Sequence, residues 1–335
     1  MDLSIIIPVY NTPPESLQRC FDSIRLPADF TYEVLIMDDG SGDDVGTFCR
    51  KYADAHSNYQ YIRQESRGVS AARNRGISCA SGRYIMFLDA DDELLSDAIL
   101  HTYVEADWDI VFFDYYLCRE GKVHYWKLLN LEAEVPLSRK ELFFASCCNQ
   151  VNTVWAKLFK RTLLLDTEIR FDETMIVAED ARFVLSAILQ AENLYYVAKP
   201  VYRYAYSNAN GNKRLARFPH KVVANTLSYY NHKKETLDTL SSSFSLTTAE
   251  MDQLHIAINA QVVNDVFEAI GSLSLMGMTF QDILEASAEL METVHKTSGH
   301  SFGIKTNIKC FLLRHKWMPV IWLCAHMRLL YIKIC

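Results

Sequence analysis

The chain has 335 residues, half of them apolar and 22% charged, with a formal net charge of -7. That is enough chain for a sizeable core, as one large domain or a domain with an appendage, and the composition is unlike that of a disordered or fibrous protein. An acidic balance argues against non-specific nucleic-acid binding, which needs a basic field, so no nucleic-acid partner is expected.

The opening, MDLSIIIPVYN, does not read as a signal peptide, because Asp2 is acidic and the apolar run ends in Pro8 without a small-residue cleavage site. LSIIIPV (3–9) is a short continuous apolar strand, and residues 13–24 have helical spacing in Leu17, Cys20, Phe21 and Ile24. YEVLIMD (32–38) is a second strand, followed by the turn DGSGDD and a helix over 44–55. A third strand at 59–64 precedes a helix over 68–80, entered through Gly68 or Ser70. GRYIMFLDA (82–90) is the fourth strand and WDIVFFDYY (108–116) the next. Strands and helices alternating in short units predict a mostly parallel α/β sheet, and strands this apolar need helices on both faces.

The middle is less regular. A helix is expected near 138–147, an apolar patch at 151–161, a helix at 179–191 and a strand at 195–206 running into an aromatic loop. SNANGNKR (207–214) is polar and turn-rich, so the boundary falls there: a domain at 1–212 and a helical region at 213–335, with helices over 216–240, 247–274 and 282–296. Nine cysteines, an odd number without a CxxC pair, fit reduced thiols and a cytoplasmic location. Thr293 to Cys335 carries seven Lys or Arg and no Asp or Glu, and WMPVIWLCAHM (317–327) is apolar with two tryptophans. No run is long enough to span a bilayer, so this tail suits peripheral contact with anionic lipid on the cytoplasmic face of a membrane. A helix docked on the core with a basic outer face is the alternative, and the tail helices could equally pack against a second copy as a homo-oligomer.

The acidic residues carry the chemistry. Asp38 and Asp39 end the second strand, and Asp89, Asp91 and Asp92 end the fourth. In open parallel sheets ligands bind beyond the C-terminal strand ends, so the two clusters point to one site. Three adjacent carboxylates repel one another, and a cation relieves them. Hard oxygen ligands supplied by one or two aspartates suit Mg²⁺ or Mn²⁺ completed by substrate phosphates. Asp39 could accept from a ribose hydroxyl or a uracil imide. Arg67, before a helix start, suits a diphosphate, whereas Arg73 and Arg75 read as phosphate contacts or as partners of the aspartates. Glu179 and Asp180 begin a helix after an apolar stretch, where a shielded carboxylate can deprotonate a hydroxyl. Each feature alone also has an ordinary reading, as a solvated turn or a favourable helix start. There is no GxxxxGK[ST], no GxGxxG after the first strand, no GxSxG and no HExxH.

Taken in order, SIIIPVYN (4–11), EVLIMDDGSGD (33–43), RGVSAARNRGI (67–77), GRYIMFLDADDEL (82–94), VWAKLFKR (154–161), AED (178–180) and PVYRY (200–204) resemble the family-2 glycosyltransferases of the GT-A fold, in particular bacterial members that build cell-surface polysaccharides. The resemblance implies a nucleotide-sugar donor, commonly a UDP-sugar, and a glycan or lipid-linked acceptor. It implies a nucleotide pocket of Pro8, Tyr10 and Asp39, with Asp89 near the ribose and Asp91 on the metal. It makes Asp180 the general base of an inverting displacement, with Glu179 on the acceptor side and Trp155 and Lys157 shaping the acceptor pocket. Ala178 departs from the glycine that often precedes the ED pair. Two other readings stand beside it: a nucleotidyltransferase, which usually needs a glycine-rich basic loop where PVYNTPPES stands, and a non-catalytic nucleotide- or sugar-binding module.

Overall fold

The computed structural model describes residues 1–95, 106–206, 219–241, 244–275 and 304–314. β1 (Leu3–Val9), β2 (Tyr32–Asp38), β3 (Tyr59–Arg63) and β4 (Tyr84–Phe87) form the parallel part, in the order β3-β2-β1-β4. Between them run α1 (Pro14–Ser23), α2 (Asp43–Ala55) and α3 (Val69–Cys79). After the two-residue β5 (Glu93–Leu94) come β6 (Ile110–Arg119), β7 (Lys122–Trp126), β8 (Val135–Leu137), α4 (Arg139–Cys147), β9 (Lys157–Lys160), α5 (Arg161–Asp166), α6 (Glu179–Gln190) and β10 (Leu194–Ala205). The sheet continues β4-β9-β6-β10-β5.

This is the expected fold class, a Rossmann-like sheet of the GT-A kind with helices on both faces, followed by a smaller helical region. The second half of the sheet differs in detail from a simple parallel array. The apolar patch at 151–161 contains β9, which lies antiparallel to both β4 and β6. β7, β8 and β5 add further antiparallel pairs. These strands are two to five residues long, too short for a periodic signal to emerge from the sequence.

Side chains alternate across β1. Leu3, Ile5, Ile7 and Val9 face one core with Leu17 and Phe21 of α1 and Cys49 of α2, whereas Ile6 faces the other with Ala72 and Ile77 of α3 and Phe183 and Val184 of α6. Gly76 lets α3 approach closely, since a Cβ there would lie 2.5 Å from Ile6 Cγ2. Because two antiparallel steps across β9 restore direction, β6 and β10 run the same way as β1 to β4, and their C-terminal ends reach the same rim.

Contacts divide the chain into two compact units: 1–146 with 150–174 and 179–206, and 147–149 with 175–178 and 207–335. In the second, α7 (Pro219–Leu240), α8 (Thr248–Leu275) and α9 (Ile304–Arg314) are helical. Leu237, Leu254, Ile258, Val263 and Leu313 are buried there, and Tyr230 Oη donates to Asn259 Oδ1 at 2.8 Å. Among the described residues no helix is long and apolar enough to cross a membrane. The expected helix at 282–296 and the apolar tail at 317–327 lie outside the described residues.

Candidate active site

At the end of β2 the two aspartates do different work. Asp38 is fully buried and accepts from Ser41 N at 2.8 Å, Tyr61 Oη at 2.6 Å and Arg63 Nη1 at 3.1 Å, which closes the turn into α2. Asp39 is turned toward the loop before α3. Its Oδ1 accepts from Gln64 Nε2 at 2.8 Å and Arg67 N at 2.9 Å, and its Oδ2 from Gly68 N at 2.8 Å and Ser66 Oγ at 3.3 Å. Four donors use the lone-pair capacity of one carboxylate, so this side chain organises the 64–68 loop. Gly68, at φ 98°, occupies the left-handed region that admits glycine freely. The Arg67 backbone amide thus meets Asp39, while its guanidinium pairs with Glu173 at 2.7 Å in an open cleft of about 630 Å³ beside α3. Pro8, next to last in β1, is half-buried, and Tyr10 just past the strand is exposed.

The second cluster follows β4. Asp92 is 1% exposed, accepting from Tyr202 Oη at 2.7 Å and Ala205 N at 2.7 Å, both from β10. Burial, then the nearby charge of Asp89, pushes its carboxyl up to about 8, against the lowering effect of these two hydrogen bonds. Tyr202 also accepts from Asp89 N at 3.1 Å, so one buried hydroxyl fixes both ends of the turn. Asp89 and Asp91 are only partly buried.

Arg73, on α3, joins this cluster to the helix start of α6. Its side chain is 4% exposed, with Nη2 2.9 Å from Asp89 Oδ1 and Nη1 2.5 Å from Asp180 Oδ1. Burial alone would lower the guanidinium's pKa, but Asp180, Asp89 and the nearby Glu179 together hold it above its ordinary value. Of the two roles open to Arg73 on sequence, it takes the aspartate partner's. Its partner on α6 lies 107 positions away, and no local pattern could have named it.

Glu179 is buried. Ala178, just before it, sits at φ 64°, in the region a glycine would enter without steric cost. Trp155 and Lys157 are interior groups. Trp155 stacks on Tyr202 (4.8 Å between centroids, 11°) and on Tyr204 (5.1 Å, 23°). Lys157 is fully buried, its Nζ donating to Thr153 O at 2.5 Å and more distantly to Thr153 Oγ1 and Trp155 O. Burial draws its ammonium down to about 7, and the charge of Asp180 opposes this in part. Both residues therefore act from behind the surface.

The carboxylates at the end of β4 are hard oxygen donors of the kind that suits a divalent ion. Among the described residues no group of three or more His, Cys, Asp or Glu could hold a metal alone. Asp92 is turned to β10 and one Asp89 oxygen to Arg73, and Asp91 lies partly exposed beside them. One hard carboxylate completed by phosphate oxygens and water is how Mg²⁺ and Mn²⁺ are commonly held at nucleotide sites.

The family model described as glycosyl transferase family 2 matches residues 4–166. The chain is 31% identical over 246 residues to EpsJ, an uncharacterized glycosyltransferase of Bacillus subtilis (strain 168), covering 69% of this chain and 70% of EpsJ. The chain belongs to glycosyl transferase family 2. Two solved structures carry the fold likeness of this family-2 glycosyltransferase further along the chain. TarS 1-349 of S. aureus in complex with UDP-GlcNAc has a TM-score of 0.54 at 18% identity, covering 91% of this chain and 94% of that one. The mannosyltransferase PcManGT of Pyrobaculum calidifontis, in complex with GDP-Man and Mn²⁺, has a TM-score of 0.50 at 14% identity, with 99% and 87% covered. Membership in the family removes the nucleotidyltransferase alternative. The family match ends at residue 166, so Asp180 and Tyr202 lie beyond it.

Proposed function

We propose that this glycosyltransferase moves a sugar from a UDP-sugar to a hydroxyl of a glycan or lipid-linked acceptor, with inversion, in cell-surface polysaccharide synthesis. The observation that carries the reading is the Arg73 fork, which holds Asp89 of the donor side and Asp180 on one guanidinium. Asp180 is then the base: it takes the proton of the attacking hydroxyl as the new bond forms, so its pKa need not be extreme. Arg73 keeps that carboxylate aimed, and the buried amine of Lys157, charged below about pH 7, lies behind it. Asp39 holds the 64–68 loop and receives the uracil N–H by displacing Ser66 Oγ, the longest of its four donors at 3.3 Å. Pro8 and the exposed Tyr10 flank that base, Asp89 faces the ribose, and Glu179 supports the acceptor side. Arg67 reaches the diphosphate only by leaving Glu173. When bound at Asp91, Mn²⁺ or Mg²⁺ offsets the negative charge of the departing nucleoside diphosphate.

UDP and UDP-GlcNAc in the TarS complexes, and Mn²⁺ in that of PcManGT, support the donor class and the metal. We assign catalysis to a domain at 1–212 and contact with a membrane face to the helical region at 213–335. The reading is tested by nucleoside diphosphate release from UDP-, GDP- and dTDP-sugars with Mn²⁺. Asp180→Asn is expected to lower kcat about 10²- to 10⁴-fold with UDP affinity retained, whereas Asp91→Ala loses Mn²⁺-dependent UDP binding. Full activity in both variants would remove Asp180 as the base and Asp91 as the metal ligand, whereas a donor bound but never turned over, with any acceptor, would return the site to a binding module.

A further inference from the structure

β7 is exposed at every position, yet it is held firmly. Asp114, fully buried on β6, accepts from Leu128 N at 2.8 Å just past β7, from Tyr196 Oη at 2.7 Å, and from Tyr125 Oη of β7 itself. A strand anchored this way presents a fixed surface, and what it presents is Trp126, half of it open to solvent.

Trp126 is the outer end of a row that begins at the active site. In register, Trp126 lies opposite Tyr115 on β6, and Tyr115 lies opposite Tyr202 on β10. Trp126 stacks on Tyr115 (6.3 Å between centroids, 27°), and Tyr115 meets the edge of Trp155 at 4.7 Å, which in turn stacks on Tyr202. Tyr202 is the residue bonded to Asp92 and to Asp89 N. Trp126 therefore stands two inter-strand spacings, about 10 Å, from the strand that closes the donor rim. Strand alternation puts His124 and Lys122 on its own face of β7 and Tyr125 and Val123 on the other. An indole face bordered by hydrogen-bonding side chains matches a sugar ring, which has an apolar C–H face and a rim of hydroxyls. A lipid surface or a second copy would instead ask for a contiguous apolar patch on that face.

We propose that Trp126 is a stacking platform for a sugar ring of an extended glycan acceptor, a ring removed from the hydroxyl that is glycosylated. This rests on the transferase reading for its place in catalysis, but binding can be measured without donor or turnover. The full chain labelled with 5-fluorotryptophan has five indole resonances, since it holds five tryptophans, and Trp126→Phe assigns the one of interest. Titration with β-linked gluco- and N-acetylgluco-oligosaccharides, from di- to hexasaccharide, is expected to shift that resonance saturably. By calorimetric titration with the same oligosaccharides, Trp126→Ala raises the dissociation constant about tenfold, or about 1.4 kcal/mol, while Trp126→Phe, which keeps a ring, loses less. A resonance unmoved across the series overturns the proposal, even if sugar transfer proceeds normally. A shift that follows protein concentration, or anionic vesicles and no oligosaccharide, also overturns it in favour of self-association or lipid. A saturable shift in a protein that turns over no donor supports the platform and removes only the transferase reading.

Discussion

Arg73 and Lys157 are two buried cations beside one aspartate, and their consequences differ. Arg73 has both arms of its fork paired, so Arg73→Met removes the guanidinium that Asp89 and Asp180 share. A loss of about 3–5 kcal/mol in urea unfolding is expected, as for other buried pairs that lose one partner. Arg73→Lys supplies one point charge in place of a fork and should fall between the two. Lys157 has a folded pKa of about 7, below its ordinary 10.5. Between those values the unfolded chain binds more protons than the folded one, so this lysine's contribution to stability rises with pH and its penalty is complete below about 7. Relative to Lys157→Met, the wild type should gain roughly 1.4 kcal/mol per pH unit above 7. A flat difference between the two proteins across pH 7 to 9 would mean that Lys157 stays charged throughout, better solvated than its burial implies. The residues at strand ends were legible from sequence as acidic clusters. Their division of labour was not, since Asp91 and Asp92 are neighbours in the chain and only the position of β10 turns one inward.

Among the elements, the apolar runs of β1, β2 and β4 and the helical spacing of α1 and α6 were readable because each run carries its own period. α3 was readable from its entry through Gly68 or Ser70, but its close approach to the sheet was not. Gly76→Ala tests that approach. A methyl group 2.5 Å from Ile6 Cγ2, in a fully buried site, forces the helix or the isoleucine to move. A cost of about 1–3 kcal/mol is expected, as for other overpacked cores, read as a lower urea midpoint with an unchanged slope. Retention of full stability would show that α3 is free to shift on β1. β9 and β7 escaped sequence reading because a four- or five-residue strand is chosen by the neighbour it pairs with.

At the scale of the whole molecule, ligand linkage joins fold to function. UDP with Mn²⁺ at a hundred times its dissociation constant should stabilise the folded chain by about 2.7 kcal/mol, seen as a rise in Tm that EDTA removes. A UDP effect of equal size in EDTA would argue against a metal at Asp91. By itself the sequence determined the architecture and the candidate chemistry: side-chain type and spacing decide which segments must be buried and which carboxylates fall at strand ends, and both are local properties. Only the tertiary structure decided how those groups are used. Arg73 meets Asp180, Tyr202 meets Asp92 and Trp126 reaches Tyr202 through Tyr115 because α6, β7 and β10 come to one rim, and ionic, hydrogen-bonded and stacked contacts act over a few ångströms of space, however far apart their residues lie in the chain.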